Sequence, residues 1–176
     1  MNFSKKYTIF GVTGHRDIDR SAIKSIKYKL RNIFKKYIGF KSPKEFILIS
    51  PLAEGADMLA AEVAKEFGIK LWVIIPFKER CYLRTFQSRH SQKLYKKLKK
   101  YAFRFDVSNC DPYKKTNRCY RLLGERIVDM SDILIALWDG IDNGKEGGTS
   151  QTIFYAKRKK RKVIVIDTPR INCDII

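Results

Sequence analysis

Short apolar, largely β-branched runs alternate along the whole chain with stretches in which apolar residues recur every three or four positions. The runs at residues 7–12, 46–50, 71–75, 103–107, 133–138 and 163–167 predict strands, the fourth being the weakest. Ile23, Ile26, Leu30, Ile33, Phe34 and Tyr37 share one helical face with lysines opposite, and Asp17 or Asp19 is placed to cap that helix. Ala56, Leu59, Ala60, Val63, Ala64 and Phe67 predict a second helix, stopped by Gly68. Two more are predicted from Leu83, Phe86, Leu94 and Leu98, and from Tyr120, Leu123, Ile127 and Met130. A last helix begins near Gly148 and runs into the basic residues 157–162, where cations complement the negative end of a helix dipole.

Strands alternating with helices predict an α/β fold. It is a Rossmann-like, doubly wound, mainly parallel sheet of about six strands with helices on both faces. The 176 residues are expected to form one domain. Residues 109–115 are the loosest stretch, and the tail after Pro169 is expected to be poorly ordered. Right-handed crossovers carry every strand-to-helix loop to the carboxyl edge of such a sheet, where open α/β folds bind ligands.

Three of those loops carry residues suited to a nucleotide. After the first strand come Gly14, His15 and Arg16. Gly14 allows a tight turn, Arg16 offers a planar fork of donors for phosphate, and His15 is a donor to phosphate or base, or a general acid or base. After the second come Glu54, Gly55 and Asp57; Gly55 permits a sharp entry into a helix. The two carboxylates are candidates for ribose hydroxyls or, alternatively, for capping the helix. After the apolar strand at 133–138, Trp138 and Asp139 are placed to meet a base or ribose, and Gly147, Gly148, Thr149 and Ser150 to hold a phosphate at a helix N-terminus. After the third strand, Phe77, Arg80, Tyr82, Arg84 and Phe86 are either a lid over a base or, for the aromatics, core.

Composition adds a polyanion to the list of partners. The formal net charge is +19 and the pI about 9.9. This is compatible with nucleic acid, along the lysines of residues 24–36, 93–100 and 157–162, or with lysines that only solvate helix faces. Cys81, Cys110, Cys119 and Cys173 form no C-x-x-C pair and no cluster with histidine. Free thiols are therefore expected, with no metal site and no disulfide framework. No apolar run approaches a membrane span, and the run after Lys5 and Lys6 is too short for a secretory segment, so a cytoplasmic location is expected.

With those loops in view, the chain resembles the SLOG superfamily, Rossmann-like domains that include the Lonely-guy phosphoribohydrolases and the DNA-processing protein A family. It is most similar to a bacterial branch with a Gly-His-Arg loop (residues 14–16), an Ala-Glu-Gly-Ala-Asp loop (53–57) and a Gly-Gly-Thr loop (147–149). The likeness spans residue 8 to about residue 167. It implies that the Gly-Gly-Thr loop binds phosphate and the neighbouring strand ends bind ribose and base. Members either bind nucleotide-derived signals, often in antiviral or stress systems, or cleave N-glycosidic bonds of nucleoside monophosphates, and they commonly pair through helices into homo-oligomers. Lonely-guy enzymes carry a glutamate that assists departure of the base; here Thr152 stands at that position.

Three readings follow. The first is a sensor or carrier domain for a nucleotide or nucleotide-derived signal, requiring no other cofactor. The second is a nucleotide N-glycosidase or transferase in which Glu54 or Asp139 replaces the missing glutamate as catalytic carboxylate. The third is a nucleic-acid-binding module.

Overall fold

The computed structural model describes residues 6–142 and 144–170. Its strands are β1 (Thr8–Gly14), β2 (Phe46–Ser50), β3 (Lys70–Ile75), β4 (Arg104–Val107), β5 (Ile133–Trp138) and β6 (Lys162–Asp167). Between them run α1 (Ile23–Ile38), α2 (Ala56–Glu66), α3 (Glu79–Leu83), α4 (Arg89–Tyr101), α5 (Pro112–Met130) and α6 (Thr149–Arg158). All six strands are parallel, in the order β4-β3-β2-β1-β5-β6. The architecture is the Rossmann-like α/β sheet that the alternation predicts.

Residue alternation within the strands divides the core. Phe10, Val12, Leu48, Leu71, Val73, Ile135 and Leu137 pack with Leu30 and Phe34 of α1 and Ala60 and Ala64 of α2. On the other face Ile9, Ile49 and Ile74 meet Leu123 and Ile127 of α5, while Leu134 and Ala136 meet Ile153 and Ala156 of α6. The chain winds from β1 outward to β4, then returns through α5 to β5 on the opposite side of β1. That reversal makes the β1–β5 boundary the topological switch point.

Four expectations are revised. The pattern from Leu83 to Leu98 is not one helix: it breaks after α3, and Ser88, extended at φ −129°, accepts a hydrogen bond from the Ser91 N–H to open α4. Asp19, not Asp17, is the cap; it accepts from Ser21 N–H at the short 3-10 turn Arg20–Ala22 that leads into α1. The basic run at 157–162 is only partly a helix end, since α6 stops at Arg158 and β6 begins at Lys162. Finally, Cys110 and Cys119 form a disulfide, with Cα atoms 5.7 Å apart.

The bridge follows from how α5 begins. Asp111 accepts from Tyr113 N–H at 2.9 Å, so the helix starts at Pro112. Cys119, about two turns on, then lies back against the loop it has just left. Residues 109–115 are thus shorter as a loop than expected and stapled to the helix. Cys81 is a free cysteine. Cys173 and the tail at 171–176 lie outside the described residues, as does Lys5. Among the described residues no helix is long and apolar enough to cross a membrane.

Candidate functional site

Two glycines weld the first two loops together. A Cβ on Gly55 would lie 2.5 Å from both the His15 and Arg16 carbonyl oxygens, and Gly55 has φ +78°. Ala56 N–H donates to His15 O at 3.0 Å, and His15 N–H donates to Leu137 O at 3.2 Å. The exit of β1 is thereby clamped between the α2 N-terminus and β5. Gly14 is not a turn residue: it ends β1, paired with Leu137, and a Cβ there would lie 2.4 Å from the Ala56 Cβ.

His15 joins the third loop. Its Nε2 lies 2.9 Å from Asp139 Oδ1 and 3.3 Å from the Asp139 backbone N. A proton on Nε2 selects the carboxylate as partner; without it, Nε2 accepts from the Asp139 N–H. Burial raises the Asp139 pKa, but the Ile141 N–H, His15 and Arg170 outweigh it and hold the carboxyl below its ordinary value. Asp17 behaves alike: partial burial opposes ionisation, and Arg170, with an NH2 nitrogen 2.7 Å away, overcomes it.

Arg16 is half-buried, with its guanidinium 5.2 Å from the centre of the Tyr120 ring, a side-chain hydrogen bond to Tyr120, and long contacts, 3.4 and 3.5 Å, to Thr85. Its donors are therefore placed by packing rather than consumed by a carboxylate. Asp57, in the first turn of α2, is buried and accepts from Ala53 N–H at 3.3 Å. Burial pushes its carboxyl up to about 7, against the lowering effect of that N–H and of Arg16. Burial likewise raises the phenol of Tyr82.

The glycine loop is organised by its own side chains. Trp138 Nε1 donates to Ile141 O at 3.0 Å, and Ser150 Oγ donates to Asp142 at 2.7 Å. Gly147, at φ +75°, lies so close to α5 that a Cβ would come 2.7 Å from Asn117 O. Gly147 N–H goes to Gln151 Oε1 and Gly148 N–H to Lys145 O. The N–H groups of Thr149 and Ser150 follow in the first turn of α6, where a helix has no carbonyl to offer them.

These parts surround a cleft of about 470 Å³ at the switch point, a volume within the range of small-molecule sites. Of the predicted residues, Gly14, His15, Arg16, Asp57, Trp138, Gly147, Gly148, Thr149 and Ser150 line it. Asp139 sits beside it through His15. Gly55 shapes the cleft from behind. Glu54 is not brought in: its oxygens accept from Gln87 N–H at 2.8 Å and Ser88 N–H at 3.3 Å, so it is spent on the chain break before α4. The Glu54→Ala variant is expected to loosen residues 84–88, read as faster amide exchange there, with far less change in β5. Phe77, Tyr82 and Phe86 are core, in edge-to-face contact with one another and with Tyr95 and Tyr120.

Sequence reasoning missed Asn117, Tyr120, Lys145 and Arg170, all of which line the cleft. Lys145 stands two residues before Gly147, a signal that was available. Tyr120 reads as one apolar position in a helix, and Arg170 reaches the site through long-range contacts, among them its bridge to Ile18 and its pairing with Asp17.

Among the described residues no group of histidine, cysteine and carboxylate side chains is arranged to hold a metal. Six parallel strands with an open cleft at a carboxyl-edge switch point define a Rossmann-like α/β protein. The YpsA family model, described as the YspA SLOG family, matches residues 10–171, and the chain belongs to that family. No curated protein matches it significantly.

The structure is similar to DNA processing protein A from Streptococcus pneumoniae (20% identity, TM-score 0.63, 96% of this chain and 53% of that one). This chain thus spans about half the length of that protein. It is also similar to DNA processing protein A from Helicobacter pylori, described for its single-stranded DNA binding mode (14% identity, TM-score 0.62, 98% and 70%). A third is the molybdenum cofactor binding protein of the phototrophic bacterium Rippkaea orientalis (18% identity, TM-score 0.56, 92% and 77%). At these identities the likeness speaks for the fold.

Proposed function

We propose that the cleft between β1 and β5 binds a nucleotide or nucleotide-derived molecule, and that the chain is a sensor or carrier rather than a hydrolase. The observation that carries this reading is the meeting, in one cleft, of the α6 N-terminus with Gly148 and Thr149, the guanidinium of Arg16, and the side chains of Lys145 and Arg170. A helix N-terminus with cations beside it favours a phosphate. His15, Asp139 and Trp138 at the neighbouring strand ends are suited to a ribose and base. Membership of the SLOG superfamily supports the same ligand class.

Binding is favoured over cleavage by the state of the carboxylates. Glu54 is bonded to two backbone N–H groups, Asp139 to His15 and the Ile141 N–H, and Thr152 Oγ1 to Gly148 O. Of the carboxyls in the wall, Asp17 is paired with Arg170, Glu146 is paired with Arg121, and burial favours the neutral form of Asp57.

Calorimetric titration of the protein with nucleoside mono-, di- and triphosphates, NAD and cyclic ADP-ribose-like compounds is expected to yield at least one ligand. Its affinity should fall about tenfold or more, or about 1.4 kcal/mol, in Arg16→Ala. Thr149→Val should also weaken it. Chromatography after incubation should show no released base. Failure of the whole panel to bind, or binding indifferent to Arg16, sinks the reading; released base returns it to a hydrolase.

A further inference from the structure

A second concavity, of about 500 Å³, is lined by Lys65 of α2 and by Lys93, Lys96, Lys97, Lys100 and Tyr101 of α4. It is independent of the nucleotide cleft and lies on the helical layer formed by α1, α2 and α4. The four α4 lysines follow the spacing i, i+3, i+4, i+7, so they form one stripe about 10 Å long on a single helix face. Lys65 faces the stripe from α2, its ammonium 5.4 Å from the centre of the Tyr101 ring. That ring is fixed by its own hydroxyl, which donates to Ile69 O at 2.9 Å.

The contrast with the adjoining helix pair is informative. Between α1 and α2 the cations have carboxylates: Lys27 pairs with Glu62 at 2.9 Å and Arg31 with Glu66 at 2.8 Å. On α4 itself Lys99, just off the stripe, pairs with Glu79. Around the concavity no carboxylate contributes to the lining, and Lys93, Lys96, Lys97 and Lys100 form no ion pair among the described residues. Like charges one turn apart weaken a helix by a few tenths of a kcal/mol per pair. A run of anionic groups laid along the stripe removes that repulsion and releases its own counterions.

We propose that this face binds the phosphodiester backbone of a nucleic acid strand without reading its sequence. Lysine ammoniums act as point charges, not as forks that discriminate base edges, so the contact is to the backbone. An anionic membrane is the poorer fit. A helix that lies in a lipid surface buries its apolar side there, whereas Tyr95 and Leu98 of α4 are already buried in the core.

The test uses the whole chain and does not depend on the nucleotide cleft. Fluorescence anisotropy with a labelled single strand and with the matching duplex is expected to show binding that weakens with salt. For a single strand, five contacts predict a slope of log K against log[salt] of about −3.5. Charge reversal in K93E/K97E is expected to cut affinity more than about tenfold and flatten the slope, as is neutralisation in K96Q/K100Q. A control of equal charge change on α1, K24E/K36E, should cost less than about threefold. All these lysines are exposed, and circular dichroism of each variant checks that the fold persists. Equal loss in the α1 control overturns the proposal, because net charge alone then explains binding. So does preference for anionic vesicles over either nucleic acid, or no binding at physiological salt.

Discussion

Gly55→Ala is expected to destabilise the protein by about 3 kcal/mol or more, the largest effect of any single methyl added to the candidate site. Two costs combine. The backbone at φ +78° and ψ −120° is one that side chains other than glycine's rarely adopt. The new Cβ would also sit 2.5 Å from two carbonyl oxygens, those of His15 and Arg16. Neither is the end of a flexible side chain; both belong to the loop that Ala56 N–H ties to α2. Relief therefore requires the His15 loop to move away from its place in the cleft wall. Gly140→Ala separates the two costs, since Gly140 also has positive φ, +84°, but no atom within 4 Å of its built Cβ. Denaturant midpoints should fall by the equivalent of about 1 kcal/mol for Gly140→Ala and several times that for Gly55→Ala. Equal losses would show that conformation alone, and not the packed carbonyls, makes Gly55 necessary.

Asp57→Asn is expected to stabilise the protein at pH 8 and to change it little below about pH 4. Burial lifts the Asp57 carboxyl from its ordinary 3.8 to about 7. Between those values the folded protein keeps a proton that the unfolded chain has released, so stability falls as pH rises through that window. Below it both states are protonated and the difference vanishes. Asparagine keeps an oxygen for the Ala53 N–H and has no charge to desolvate. The gain at alkaline pH is of the order of 2–4 kcal/mol, and the slope of stability between pH 4 and 7 should flatten by the same amount. Urea unfolding of both proteins across that range decides it. An unchanged slope would mean that Asp57 is ionised in the fold, held so by Arg16.

The fold was legible because it is built from local periodicities. The fully apolar run of β5 has both faces covered, and the spacing of α1 points Leu30 and Phe34 at Phe10. Most of the cleft was legible for the same reason: a parallel sheet sends its strand-to-helix loops to one edge, so Arg16, Trp138 and Thr149 could be placed together from order alone. What escaped depends on long-range contact. Glu54 looked like a ligand residue because it follows a strand, yet it satisfies the backbone of residues 87 and 88, which no local pattern announces. The helix break at the same place hid for the same reason. Cys110 and Cys119 are nine residues apart without a motif, and only the start of α5 at Pro112 folds one back on the other. Asp17 looked like a cap, but its partner Arg170 lies at the far end of the chain.

That last pairing, with the seating of β5 against β1, also dictates an order of events. β1 lies between β2 and β5, and its contacts to β5 join Phe10 to Ile133 and Gly14 to Leu137. One edge of this central strand therefore stays open until β5, more than 100 residues later, has left the ribosome. Contacts of such long sequence separation are the slowest to form. The cleft at the β1–β5 boundary is consequently completed late each time the molecule is made, once β5 has paired with β1 and Arg170 has closed on Asp17.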